Sequence, residues 1–146
     1  MIISFDLDDT LISVIFDTEK QSIIQKILGL EKIRYGTIEL FKKLKSEGHI
    51  IYIYTTSFRS LIKIKLTFLT YGTSVKKVIN QEVHNQKLKQ KSTRISKFPP
   101  AFGIDIHIDD SIGLKIEGEK YNFKTIIVKV NDENWVDTIF NEIQNM

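Results

Sequence analysis

The chain has 146 residues, with 21 Lys and Arg against 18 Asp and Glu, a formal net charge of +3 and 42% hydrophobic residues. That suits one globular domain over residues 1–146 and excludes disordered and fibrous classes. Cysteine is absent, which excludes disulfides, thiolate catalysis and Cys-based zinc sites. No apolar run reaches the length of a membrane span, and Asp6 falls where a signal peptide would stay apolar. The expectation is a cytoplasmic protein with no membrane partner.

Met1 to Phe5 reads as a short strand buried on both faces, interrupted only by Ser4. It runs into Asp6-Leu7-Asp8-Asp9-Thr10-Leu11. In extended geometry residues i and i+2 share a side about 6.5–7 Å apart, which puts Asp6 and Asp8 on one side and Asp9 on the other. Two carboxylates at that spacing repel by about 3 kcal/mol at an effective dielectric near 20. A raised pKa or a bound divalent cation relieves the repulsion.

Leu11 to Phe16 suits a flap or small hairpin. Thr18-Glu19-Lys20-Gln21 has capping-box form, and Ile23, Ile24, Ile27 and Leu28 follow at helical spacing, an amphipathic helix ending at Gly29. A second helix follows Gly36, with Thr37 as N-cap and Ile38, Leu40, Phe41 and Leu44 on its apolar face. Ile50 to Tyr54 is a strand without a charge, as in a parallel sheet covered on both faces, and it ends at Thr55-Thr56-Ser57. Ser57 is placed to cap the next helix, whose expected buried face is Phe58, Leu61, Ile62, Leu66 and Leu69. Lys77 to Ile79 is a weak third strand.

Residues 80–103 are polar and basic, interrupted by Pro99-Pro100, with room for a short helix. Connections this long are often functional. Ile104 to Ile108 is a strand leading into Asp109-Asp110. Asp105 and His107 share one face of it, which suggests that they pair with each other or with a neighbouring loop. A short helix over 111–121, a strand over 125–130 and a terminal helix capped by Asp132 complete the chain. Val136, Ile139, Phe140 and Ile143 give that helix the clearest periodicity of all.

Strands alternate with helices throughout, so the fold class is α/β, a three-layer Rossmann-like fold with a mainly parallel sheet of about five strands. Ligands of such sheets bind beyond the carboxyl ends of the strands. Three of those ends carry Asp6 and Asp8, Thr55, and Asp109 and Asp110, and Lys97 precedes the last. Clustered carboxylates call for a hard cation with oxygen ligands, Mg²⁺ rather than zinc. A hydroxyl and an ammonium beside them suit a phosphate.

These residues resemble the motifs of the haloacid dehalogenase (HAD)-like superfamily, in its phosphohydrolase branch with a minimal cap. Phe5 to Leu11 matches the D-x-D-x-T motif, Ile51 to Thr55 the apolar strand ending in Thr, and Ile106 to Asp110 the acidic D-D motif. Lys97 stands near the third motif's lysine, although Phe98 intervenes before Pro99, and Lys89, Lys91 and Arg94 are alternatives. The resemblance implies Asp6 as nucleophile, forming an aspartyl-phosphate, and Asp8 as general acid/base. It implies Mg²⁺ held by Asp6, the Asp8 carbonyl and Asp109, with Asp110 nearby. Thr55, with Thr56 as competitor, and Lys97 would bind the phosphoryl group, and Arg59, in the first turn of the next helix, is either a substrate contact or simply exposed.

The insert after the first strand, residues 12–35, is only a flap and one helix. An open cleft admits bulky phosphorylated substrates or closure by a second subunit, the oligomeric state being left open. Phe16, Asp17 and the basic loop from Lys87 are candidates for specificity. Nucleic acid finds support only in that mildly basic loop. Related alternatives are a phosphotransferase and a non-catalytic binding subunit. A receiver domain is disfavoured because its acids and lysine come in a different order.

Overall fold

Ile2–Phe5 (β1) is the middle strand of a five-stranded parallel sheet ordered β3-β2-β1-β4-β5 in the computed structural model, which describes residues 1–89 and 94–146. β1 lies between Ile50–Tyr54 (β2) and Ile106–Asp109 (β4); Lys77–Ile79 (β3) and Lys124–Ile127 (β5) form the edges. The helices are Ile23–Ile27 (α1), Thr37–Ser46 (α2), Leu61–Thr70 (α3), Gln81–Leu88 (α4), Ile112–Tyr121 (α5) and Trp135–Gln144 (α6). Because every ladder is parallel, all five strands end at the same edge of the sheet, which is where the acidic residues gather. Among the described residues no helix is long and apolar enough to cross a membrane.

The two faces of the sheet differ chemically. Ile3, Phe5, Ile51, Ile53, Ile106 and Ile108 project into one large apolar core with Phe41 and Leu44 of α2, Phe68 of α3 and Ile139 of α6. The alternate positions Ser4, Tyr54, His107 and Asp109 are also buried, but on the other face, next to a smaller cluster with Ile79, Phe102 and Ile104. Period-2 geometry alone sorts them this way. One face is dry packing, and the other carries a buried polar network that must be internally satisfied.

Several local expectations are corrected. The first helix starts later than Thr18: Ser22 caps it, with its hydroxyl on Gln25 N and the Gln25 side chain on Ser22 N. Its apolar face is turned outward, with Ile23 75% and Ile27 78% exposed while Gln25 is 2% exposed. Gln25 is held by Thr70 Oγ1 at 3.2 Å, so five residues of helix dock through a polar contact and cannot also bury the opposite side. α3 is likewise rotated: Ile64, Thr67 and Phe68 are buried, whereas Phe58, Ile62, Leu66 and Leu69 are exposed. Apolar residues occupy both of its faces, so periodicity could not choose between them. Ser60 rather than Ser57 caps α3, and α2 begins at Thr37 behind a left-handed Gly36. No regular strand forms over residues 11–16. The helix suspected within 80–103 is α4, capped by Asn80.

Candidate active site

Past Phe5 the chain leaves the sheet in a tight turn. The amides of Thr10, Leu11 and Ile12 all point to the Leu7 carbonyl, and Asp9 takes a left-handed φ of 57°. The strand alternation therefore stops, and Asp6 and Asp8 diverge instead of sharing a side. Asp6 is buried, whereas Asp8 is exposed and lies against Arg59. Asp9 accepts from Ser13 Oγ at 2.7 Å, and Thr10 donates to Asp110 Oδ1 at 3.3 Å.

Lys97 reaches this point from the loop before β4. Its Nζ lies 2.8 Å from Asp6 Oδ1 and 2.5 Å from Asp109 Oδ2, all three side chains buried. Of the alternatives, Lys89 and Arg94 are exposed, and Lys91 lies outside the described residues. The loop is pinned from beneath by Tyr54, whose hydroxyl accepts from Phe98 N at 2.9 Å and lies 2.5 Å from His84 Nδ1. Pro99 and Pro100 open a 3-10 turn, Pro99–Phe102, that ends the loop.

Asp109 is held by three donors. Lys97 and His107 Nε2, at 3.1 Å, share Oδ2, and Ser111 N donates to Oδ1 at 2.9 Å. His107 Nδ1 is 2.6 Å from Ser4 Oγ, its register partner on β1. The Asp105–His107 pair does not form; Asp105 Oδ2 instead accepts from Ile2 N at 2.6 Å at the far end of the strand.

Burial pushes the Asp6 carboxyl up to about 6; Lys97 opposes this and Asp109 adds to it. Asp109 is also pushed up by burial, but the His107 hydrogen bond and the Lys97 charge outweigh it and hold the carboxyl below its usual range. Burial lowers His107 to about 4, so it is neutral at pH 7. Burial and the Asp109 charge raise Asp110.

Asp6, Asp109 and Asp110 each offer an oxygen within 4.8 Å of the others. Asp6 Oδ1, though near Lys97, lacks a donor aligned for a hydrogen bond. An all-oxygen set with a buried, incompletely satisfied carboxylate fits a hard divalent cation. The Asp8 carboxylate is not in this set. The three acids line a cavity of about 290 Å³ with Asp8, Thr56 and Lys97. Thr55 lies under it, fully buried, its hydroxyl accepting from Ser57 N at 3.1 Å. Arg59 borders the site through Asp8 and is held behind by Glu31.

Over 99% of its length the chain superposes on 98% of a predicted HAD-like family hydrolase from Porphyromonas gingivalis, with a TM-score of 0.53 and 14% sequence identity. The chain has the HAD-like fold. No protein-family model matches the sequence, and no curated protein does. In this HAD-like frame the acidic groups stand at the ends of β1 and β4, the two central neighbours.

The sequence flagged Asp6, Asp8, Lys97, Asp109 and Asp110 individually, and the fold brings all five to one cavity. It did not flag Tyr54, His107 as the support of Asp109, or Glu31. Ser4 and His107 were visible only as two polar interruptions in apolar strands; the register makes them partners.

Proposed function

We propose that the protein is a Mg²⁺-dependent phosphohydrolase acting on phosphate monoesters through an aspartyl-phosphate on Asp6. The observation that carries this reading is the convergence of Asp6, Asp109, Asp110 and buried Lys97 at one sheet edge. Three acids around one lysine make a poor structural device, since the carboxylates outnumber the charge available to neutralise them. They make a good site for a cation and a phosphoryl group.

Asp6, as carboxylate, attacks phosphorus; the new O–P bond forms as the ester P–O bond breaks. Asp8, protonated and held by Arg59 through one oxygen only, gives its proton to the departing oxygen. It then takes a proton from water as that water attacks the acyl phosphate, releasing inorganic phosphate and restoring Asp6. Lys97 stabilises the charge on the phosphoryl oxygens, and Thr56 lies in the cavity wall as a donor to them. Mg²⁺ held by Asp6, Asp109 and Asp110 supplies charge neutralisation for phosphate and carboxylates alike.

The test is a Mg²⁺-supplemented screen of p-nitrophenyl phosphate, sugar phosphates, nucleotides and phosphopeptides with the wild type and Asp6→Asn. Turnover by the wild type that disappears in Asp6→Asn is expected. Mg²⁺-dependent turnover that persists in Asp6→Asn would refute the covalent route.

A further inference from the structure

Ser96, Lys97 and Phe98 are consecutive residues in neither strand nor helix, and each is held by a different part of the fold. The Lys97 ammonium sits between Asp6 and Asp109. Phe98 N donates to the Tyr54 hydroxyl, and the Phe98 ring meets Tyr121 and Phe123 edge-on, with centroids 6.4 and 6.2 Å away. Ser96, on the other side of the lysine, is taken by Glu117 of α5. Its hydroxyl donates to Glu117 Oε2 at 2.7 Å and its amide to Oε1 at 3.3 Å.

A buried lysine needs such restraint. Its long stem is rotamer-rich and burial strips water from the ammonium, so swinging outward is favoured unless the backbone on either side is fixed. No ladder fixes it here, and backbone amides outside a ladder turn to side chains for partners.

α5 suits the task because it also holds the other half of the ion pair. Its N-cap residue, Ser111, donates its amide to Asp109 Oδ1 at 2.9 Å. Glu117 lies about 9 Å further along the axis, and Tyr121 follows one turn later on the same face. The helix is seated closely on β5: a Cβ at Gly118 would come within 2.8 Å of the Phe123 carbonyl oxygen. One rigid element thus carries Asp109 at its start and the Lys97 loop further along, and so sets the spacing between them. Ser96 and Lys97 line the acidic cavity, whereas Glu117 does not, so its part is indirect.

We infer that Glu117 is a positioning residue for Lys97: by binding both the amide and the hydroxyl of Ser96, it holds the Lys97 ammonium at the phosphoryl-binding point. A carboxylate has two acceptor oxygens for the two Ser96 donors, and its charge strengthens both bonds. Ser96 is exposed, so losing these bonds costs little stability and shows instead in where the lysine stands. The inference rests on the phosphohydrolase reading for what the ammonium does there; its placement is measurable without turnover.

Brief acetylation of the full chain, read by mass spectrometry, reports how accessible each lysine amine is. Wild type, Glu117→Ala, Glu117→Gln and Ser96→Ala are compared, with the exposed Lys26 and Lys42 as internal standards and urea unfolding as the check on folding. Glu117→Ala should raise Lys97 labelling relative to the standards about fivefold, the scale of one lost hydrogen bond. It should lower kcat/KM for p-nitrophenyl phosphate about tenfold, with the urea midpoint unchanged. Glu117→Gln, which keeps an acceptor for Ser96, should retain most of both properties. Ser96→Ala, which keeps the amide bond, should fall between, and it carries the test if Glu117→Ala is destabilised. Raised Lys97 labelling with no phosphatase activity in any of the four proteins would leave the positioning role standing and overturn the phosphohydrolase reading. Unchanged Lys97 labelling, or unchanged kcat/KM with the wild type active, would overturn the positioning role.

Discussion

Arg59 grips Asp8 through both carboxylate oxygens, at 2.8 and 2.7 Å, while its Nε lies 3.2 Å from Glu31 Oε1. The acid/base candidate is thus tied to the start of α3 and, through Glu31, to the insert after β1. Planar bidentate pairing fixes orientation as well as charge, which an ammonium cannot do. On the proposed mechanism Arg59→Ala should lower kcat/KM for p-nitrophenyl phosphate about 10–100-fold, the scale of a misplaced catalytic group. Arg59→Lys should recover only part of the loss. Wild-type rates in Arg59→Ala would show that the pair has no part in turnover.

Asp6 and His107 should give the metal-free protein opposite pH dependences. The Asp6 carboxyl is raised from 3.8 to about 6, so its contribution to stability is full below about pH 4 and lost as pH rises through 6. Asp6→Asn removes that loss. Its advantage over wild type should open between pH 4 and 6 and then stay level, at most about 3 kcal/mol. His107 is lowered from 6.5 to about 4, so its contribution is full above pH 6.5 and lost as pH falls through 4. His107→Gln should therefore flatten the acid limb. Urea unfolding in EDTA at pH 4.5, 6 and 7.5 reads both slopes; parallel curves for the three proteins would contradict the assignment.

His107 also donates to the Asp109 oxygen that Lys97 shares, while Ser111 N holds Oδ1, so three donors fix the orientation of this carboxylate. Partners that orient a ligating carboxylate are typically worth 10–100-fold in metal affinity. His107→Ala should weaken Mg²⁺ binding, measured by calorimetry without substrate, by that factor. His107→Gln, which retains a donor, should weaken it less.

Tyr54 supports the lysine. Its hydroxyl is the acceptor for Phe98 N and the partner of His84 Nδ1, so Tyr54→Phe leaves two buried groups without it. A loss of about 1–3 kcal/mol is expected from urea unfolding. Because Phe98 follows Lys97, kcat should fall together with stability. A stable variant with unchanged kcat would separate the loop anchor from the site.

The inverted first helix makes a plain packing prediction. Ile24→Lys and Ile27→Lys should change stability by no more than about 0.5 kcal/mol, as exposed substitutions do. Gln25→Ala, which removes the capping box and the Thr70 contact, should cost about 1 kcal/mol or more. A large loss on Ile27→Lys would mean that the apolar face is covered.

Much of the fold can be read from residue type alone, because burial on both faces of a parallel sheet forces apolar strands and leaves polar residues at their ends. Ile2–Phe5, Ile50–Tyr54 and Ile106–Asp109 are visible for that reason, as are the acids that follow the first and last of them. Helix facing was not. α1 and α3 carry apolar residues in excess of what their docking uses, so the partner element, not the periodicity, decided which side is inside.

The acidic turn after β1 shows the same division. The sequence determined its composition: three aspartates, a threonine and a strand to carry them. Only the tertiary structure separated Asp6, buried against Lys97, from Asp8, turned out to Arg59. The reason is that the alternation of a strand ends where its ladder ends. Beyond that point a side chain's direction is set by the turn and by partners tens of residues away, which no local pattern encodes.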